Sequence, residues 1–199
     1  MLAKAWSGSD PKGWWMSEKL DGMRAYWTGY ELYTRNGNII VAPDWFLAVL
    51  PPGVALDGEI YMGRGRFQEV MSVARKATAR DPRWDQVLYM AFDAPEVVGG
   101  CEARFDALRG FVADACRRWR RGGSCPLVFV DQQQCTSKSE LTRFHQEISK
   151  LRGEGVMLRA PGSAYSRTRT SDLLKVKNFL DTEARITGYT EGTGKHAGR

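Results

Sequence analysis

The sequence predicts an α+β fold in which antiparallel sheets are flanked by helices. Short apolar and aromatic runs of strand length are intermingled with stretches of helical periodicity, and no regular βαβ rhythm organises them. Turn signals stand directly between neighbouring strand-like runs, as hairpins require. With 199 residues, 43% of them hydrophobic, the chain is long enough for one large domain with its own core.

Taken in order, residues 14–33 are rich in aromatics, and Thr28-Gly29 marks a turn between two strands. Asn36-Gly37 is a second hairpin turn. Residues 56–62 read as a strand carrying Asp57-Gly58-Glu59. Phe67, Val70, Met71 and Ala74 recur at i, i+3, i+4 and i+7, the mark of a helix with one apolar face. Residues 87–92 form an apolar strand ended by Asp93-Ala94-Pro95. A second helix is expected over 104–121, burying Phe105, Leu108, Val112, Ala115 and Trp119. Its arginines (Arg104, Arg109, Arg117, Arg118, Arg120, Arg121) are read as a solvated outer face, with contact to a nucleic-acid backbone as the alternative. Residues 127–130 are a short strand. Ser137-Lys138-Ser139-Glu140 has capping-box spacing and opens a third helix, with Leu141, Phe144, Ile148 and Leu151 inward and Gly153 as its stop. Three more strands are expected at 155–159, 173–177 and 184–189.

The formal charge of +6 favours a polyanionic partner, although many proteins of this balance bind no nucleic acid. Cys101, Cys116, Cys125 and Cys135 contain no C-x-x-C pair, which speaks against zinc, and they are expected to be free thiols in a reducing compartment. No apolar run approaches membrane length, and the stretch around Trp6, Asp10 and Pro11 lacks a signal-peptide core. A removed leader would leave the same picture, so the periplasm stays open. His145 and His196 are the only histidines, giving little support to a two-histidine mechanism.

The chemistry concentrates in Lys19-Leu20-Asp21-Gly22-Met23-Arg24. In an extended segment Lys19 and Asp21 project from one face. Gly22 would let a ligand approach the backbone, and Arg24 carries a charge suited to phosphate. Asp57 and Glu59 share a strand face, as do Lys175 and Lys177, and Glu154 precedes the strand at 155–159. Each group singly is also what a half-exposed strand carries. Together they suit a cleft for a nucleotide, its phosphates and a divalent cation.

These strings resemble the ordered motifs of the covalent nucleotidyltransferases: DNA ligases, RNA ligases and mRNA capping enzymes. Lys19 to Arg24 resembles the first signature, Thr34-Arg35-Asn36-Gly37 the ligases' next element, and Leu56-Asp57-Gly58-Glu59 and Phe92-Asp93 the two after it. Glu154-Gly155-Val156-Met157-Leu158-Arg159 and Leu174-Lys175-Val176-Lys177 are similar to the last two motifs of the transferase domain. The order agrees throughout. Ser17 to Trp27 and Ala42 to Phe46 look most like the small bacterial and viral ATP-dependent DNA ligases.

The resemblance implies an ATP-grasp-like adenylation domain over residues 1–180. Lys19 would attack the α-phosphate of ATP to give lysyl-AMP, and AMP would pass to the 5′-phosphate of nicked duplex DNA before the strand is sealed in repair or replication. A lysine of pKa about 10.4 must first lose its proton, which nearby cations favour. By the same resemblance Arg24 and Lys177 would hold the α-phosphate, with Lys175 close by. Asp21 and Glu154 would hold Mg2+ or Mn2+. Glu59 would bind the ribose and Phe92 would stack on adenine, with Val156 or Met157 on the other face and Ser17 at its edge. Arg35 and Asn36 would contact the nick. A monomer is expected, with no membrane partner. The alternatives are an RNA ligase, a capping guanylyltransferase, or a non-catalytic nucleic-acid-binding module. Residues 181–199 resemble the entry into an OB-fold domain, and without the rest of that domain the 199-residue chain is expected to seal nicks poorly from ATP.

Overall fold

A computed structural model describes residues 1–177. The expected strand at 184–189 and the OB-fold entry lie outside the described residues. Among the described residues, ten strands form two five-stranded sheets, and four helices cover them.

The first sheet has the order β1-β10-β9-β2-β8. It is built from β1 (Leu2–Ala5), β2 (Trp15–Glu18), β8 (Gln133–Gln134), β9 (Gly155–Arg159) and β10 (Arg169–Lys177). The second has the order β4-β3-β5-β6-β7, from β3 (Met23–Trp27), β4 (Leu32–Thr34), β5 (Leu56–Tyr61), β6 (Leu88–Asp93) and β7 (Leu127–Phe129). The expectation of purely antiparallel sheets needs correction. β1 pairs with β10 in parallel, as β6 does with β7, so both sheets are mixed. The reason is connectivity: α3 (Cys101–Arg118) carries the chain back from the end of β6, so that β7 runs alongside it.

Several elements follow their local signals closely. α2 (Phe67–Ala74) covers the residues of its apolar repeat. In α4 (Lys138–Lys150) the Ser137 hydroxyl accepts from the Glu140 backbone N–H at 3.2 Å, as the capping spacing requires. Gly37 takes φ 81° in the turn between β4 and the bridge at Ile39, a left-handed geometry suited to glycine.

Other expectations fail for identifiable reasons. α3 begins at Cys101 and ends before Trp119, and Arg104 is buried inside it rather than on its basic face. Leu151 is 57% exposed, because the chain leaves α4 there through Arg152 at φ 60°. Cys116 and Cys125 are joined in a disulfide across the turn from α3 to β7, so only Cys101 and Cys135 are free thiols. β1, the two-residue β8 and the one-turn helix α1 (Asp44–Leu47) had no pattern long enough to read.

Each sheet buries its outer face under helices. The larger core lies against the second sheet, where Phe46 packs edge-on to Trp84 at 5.0 Å between ring centroids, with Leu56, Ile60, Tyr89 and Leu108 around them. The smaller core places Met16, Val156 and Leu158 of the first sheet under Leu141 and Ile148 of α4. The inner faces are left to enclose a cleft. The chain crosses between the sheets twice, at residues 19–22 from β2 to β3 and at 130–132 from β7 to β8. Both crossings bring side chains to that cleft.

Candidate active site

Strand register explains which side chains meet. In the first sheet Ser17 lies opposite Met157, and Met157 opposite Lys175. All three point into a cavity of about 260 Å³ between the sheets, because residues aligned across neighbouring strands share a face. From the second sheet Arg24 pairs with Glu59. Those two, Asp57 and Phe92 line the cavity from the other side, with Lys19 and Arg35 at its margins.

Lys19 does not sit in a strand. It lies on the first crossing, its backbone N–H bonded to the Gly155 carbonyl at 2.9 Å. Its ammonium is paired with Glu154, whose other oxygen takes Lys177 at 2.8 Å. One carboxylate therefore stands between two ammoniums. Burial works against the Glu154 charge, but Lys177 and Lys19 outweigh it and hold the carboxyl below its usual range. Gly155 adopts φ 147°, and a Cβ there would stand 2.1 Å from the Val176 carbonyl oxygen, so glycine is needed for β9 to lie this close to β10.

Gly22 has a different role from the one its motif suggests. A Cβ would come within 2.3 Å of the Ile60 carbonyl oxygen and 2.8 Å of Glu59 Cγ, so the missing side chain accommodates β5 rather than a ligand. The Gly22 N–H donates to Glu59 Oε1 at 3.2 Å. Burial pushes Glu59 up to about 7, against the lowering effects of Lys19, the Gly22 N–H and Arg24. Asp21 follows Lys19 on the same crossing but is not among the cavity's lining residues.

Arg24 is held by Asp57 in a two-pronged pair, Nε to Oδ1 at 2.9 Å and Nη2 to Oδ2 at 2.5 Å. The Tyr165 hydroxyl donates to the same carboxylate at 2.8 Å. Burial and then the Asp57 charge raise the Tyr165 phenol. A second, shallower hollow adjoins this group, and Arg24, Arg35, Thr34 and Arg167 line it. Asn36 is exposed at the hairpin tip and lines neither space. Val156 turns into the core beneath α4, so of the Val156–Met157 pair only Met157 faces the cavity.

Sequence reasoning missed a buried charge network behind Phe92. Asp93 accepts from Arg104 Nε at 2.6 Å and from Arg159 Nη1 at 2.7 Å, and all three side chains are shielded from solvent. Arg159 closes the Glu154–Arg159 motif, so its presence was visible though its partner was not. Tyr165 and Gln132 also reach the site, and no local string marks either.

Among the described residues no group of three or more His, Cys, Asp or Glu side chains gathers as a metal cage. Glu154 is the carboxylate paired with Lys19, though it is not among the cavity's lining residues. Its charge and position fit a Mg2+-type ion that takes most of its ligands from phosphate oxygens and water.

The sequence pattern of the ATP dependent DNA ligase domain matches residues 1–177. The chain is 30% identical to a DNA ligase of Haemophilus influenzae over 195 residues, spanning 98% of the chain and 69% of that protein. It is 32% identical to the multifunctional non-homologous end joining protein LigD of Pseudomonas aeruginosa, covering 94% of the chain but 23% of LigD. A solved structure from a study of Lig E DNA ligases superposes with a TM-score of 0.85 at 34% identity, covering 100% of this chain and 75% of that one. The Chlorella virus DNA ligase–adenylate, at 20% identity, shares the fold with a TM-score of 0.76 over 98% of this chain and 72% of its own. By the match over residues 1–177 and the identity to a DNA ligase most of whose length it spans, the chain belongs to the ATP-dependent DNA ligase family as its catalytic adenylation domain.

Proposed function

We propose that the cavity between the sheets is where ATP reacts with Lys19, and that AMP passes from there to the 5′-phosphate of nicked duplex DNA. The observation that carries this reading is that Lys19, paired with Glu154, lines a cavity that Phe92 and Glu59 also line. Phe92 and Met157 offer two apolar surfaces between which a purine would stack. Glu59 would accept from the ribose hydroxyls, and Ser17 would meet the edge of the base. Lys175 and Lys177 bring positive charge to the phosphate end, and Arg24 would join them at the α-phosphate once freed in part from Asp57.

In the first step a bond forms between Lys19 Nζ and the α-phosphorus while the bond to the departing pyrophosphate breaks on the far side. The proton leaving Nζ has the Glu154 carboxylate beside it. A divalent cation would be held by Glu154, with Asp21 acting through water, and would neutralise phosphate charge. In the second step Arg35 and Asn36, on the hairpin beside the shallower hollow, would position the nick phosphate. We further propose a monomer, an ATP-grasp-like unit through residue 180, and an OB-fold beginning after it.

The test is adenylation itself. Incubation with α-labelled ATP and Mg2+ should give one covalent adduct on the parent protein and none on Lys19→Ala. Label persisting on that variant would refute the assignment.

A further inference from the structure

We propose that Gln132 reads the 6-position of the purine and selects a 6-amino base over a 6-oxo one. This deepens the reading above and rests on the cavity being the ATP site.

Gln132 lies on the second crossing between the sheets, 8% exposed and facing the cavity. Two constraints fix it there. The Val130 backbone N–H donates to the Ala91 carbonyl at 2.8 Å, which ties the crossing to β6 beside Phe92. The β2–β8 pairing sets Trp15 opposite Gln134 and Met16 opposite Gln133, and one more step of that register brings Gln132 opposite Ser17. Gln132, the residue just ahead of β8, thus lies toward Ser17 and Met157, and all three line the cavity.

The amide has one allowed orientation. Its Nε2 donates to the Val130 carbonyl at 3.0 Å. Turning it over would set Oε1 against that carbonyl, two acceptors with no proton between them. The fixed orientation leaves Oε1 without a partner among the described residues, as an acceptor for whatever base enters. An exocyclic amino group donates to it. A 6-oxo group meets it oxygen to oxygen and leaves both unpaired where water is largely excluded.

Stacking on Phe92 and Met157 accepts any purine, and the ribose and phosphates are common to all of them. The Ser17 hydroxyl donates or accepts by rotation. Arg159 gives Nη1 to Asp93, and its buried Nε, without a partner among the described residues, is a donor that suits a ring nitrogen or oxygen rather than an exocyclic amino group. The Gln132 Oε1, held outward by the bond from Nε2 to Val130, is the acceptor an exocyclic amino group would meet.

The experiment uses the whole chain and measures lysyl-nucleotide formation at limiting concentrations of three triphosphates. ATP carries an amino group at C6, purine riboside triphosphate carries hydrogen, and inosine triphosphate carries oxygen. The parent should rank them in that order. Gln132→Met, close in size but with no acceptor amide, should lose about 10–100-fold of the ATP-to-inosine preference and bring ATP level with the purine riboside compound. Equal use of ATP and inosine triphosphate by the parent, or an unchanged preference in Gln132→Met, would overturn the proposal. If the variant fails to fold, the parent's ranking decides. Mapping the adduct separates the two levels: a nucleotide on another residue would refute the site reading, whereas an adduct on Lys19 with an unaltered preference would refute only the role of Gln132.

Discussion

Replacing Arg104 with methionine should destabilise the domain strongly, although Arg104 stands in a helix rich in exposed arginines. Its side chain is 1% exposed and that of its partner Asp93 is 0%, with Nε to Oδ1 at 2.6 Å. Methionine fills most of the space but leaves Asp93 with Arg159 as its one charged partner beside the Ala94 backbone N–H. Removing one member of a buried ion pair costs about 3–5 kcal/mol, because the remaining charge has been taken out of water without full compensation. For 199 residues the unfolding entropy is about 0.4 kcal/mol per kelvin, at roughly 2.1 cal/mol/K per residue. The expected fall in Tm is therefore about 7–12 °C. The control is Arg109→Met in the same helix, where the partner Asp106 is 77% exposed and the loss should stay below about 1 kcal/mol. Calorimetry or urea unfolding of both variants beside the parent decides it. A shift in Arg104→Met no larger than that of Arg109→Met would show that the Asp93 network carries no net stability, and that the burial argument fails.

Phe92→Ala should weaken ATP binding by about 1–3 kcal/mol while Phe92→Tyr is tolerated, and equal affinities by titration calorimetry would make Phe92 a structural residue. Glu59 is pushed up to about 7, so nucleotide affinity should rise as the pH passes through 7 and the carboxylate ionises, and Glu59→Gln should flatten that dependence. Folding stability runs the opposite way. Because the folded state holds this proton more tightly, the Glu59 contribution is complete below about 4.5 and is lost as the pH rises through about 7, which a urea series at pH 4 to 9 would show. Opening the Cys116–Cys125 disulfide, which spans 9 residues of sequence, should cost about 2–3 kcal/mol, measured as a lower urea midpoint in reductant or in Cys116→Ser.

Much of the site was legible because each motif is a short string whose chemistry and strand parity can be read locally. Glu59, Phe92, Met157 and Lys175 reach the cavity through alternation along their strands, and Lys19 reaches it from the crossing between the sheets. What could not be read depends on partners far away in the chain. Arg104 looked like one more exposed arginine, since its burial is set by an aspartate at the end of another strand. Val156 and Met157 were indistinguishable until register with β2 showed which one faces α4. Gln132 belongs to a run of three glutamines with no apolar period, and only the passage of the chain from one sheet to the other gives it a role. Cysteine spacing alone did not reveal which thiols would meet.

The two sheets differ in when they can exist. All five strands of the second sheet come from residues 23–129, so that sheet can assemble on a growing chain as soon as this stretch has emerged. The first sheet is discontinuous: β1 and β2 are made early, but their partners β10 and β9 arrive some 140 residues or more later. Until then Leu2–Ala5 and Trp15–Glu18 are unpaired edges, the kind of segment that invites association with other chains. The long loop that must close before those strands pair makes this half of the molecule the slow one to form. Lys19 hangs on the seam, and its counter-ion Glu154 belongs to the late half. A ribosome-bound chain that has extruded residues 1–130 therefore holds the strands of one whole sheet and Lys19 without its counter-ion, and synthesis of β9 and β10 is the event that completes the cleft.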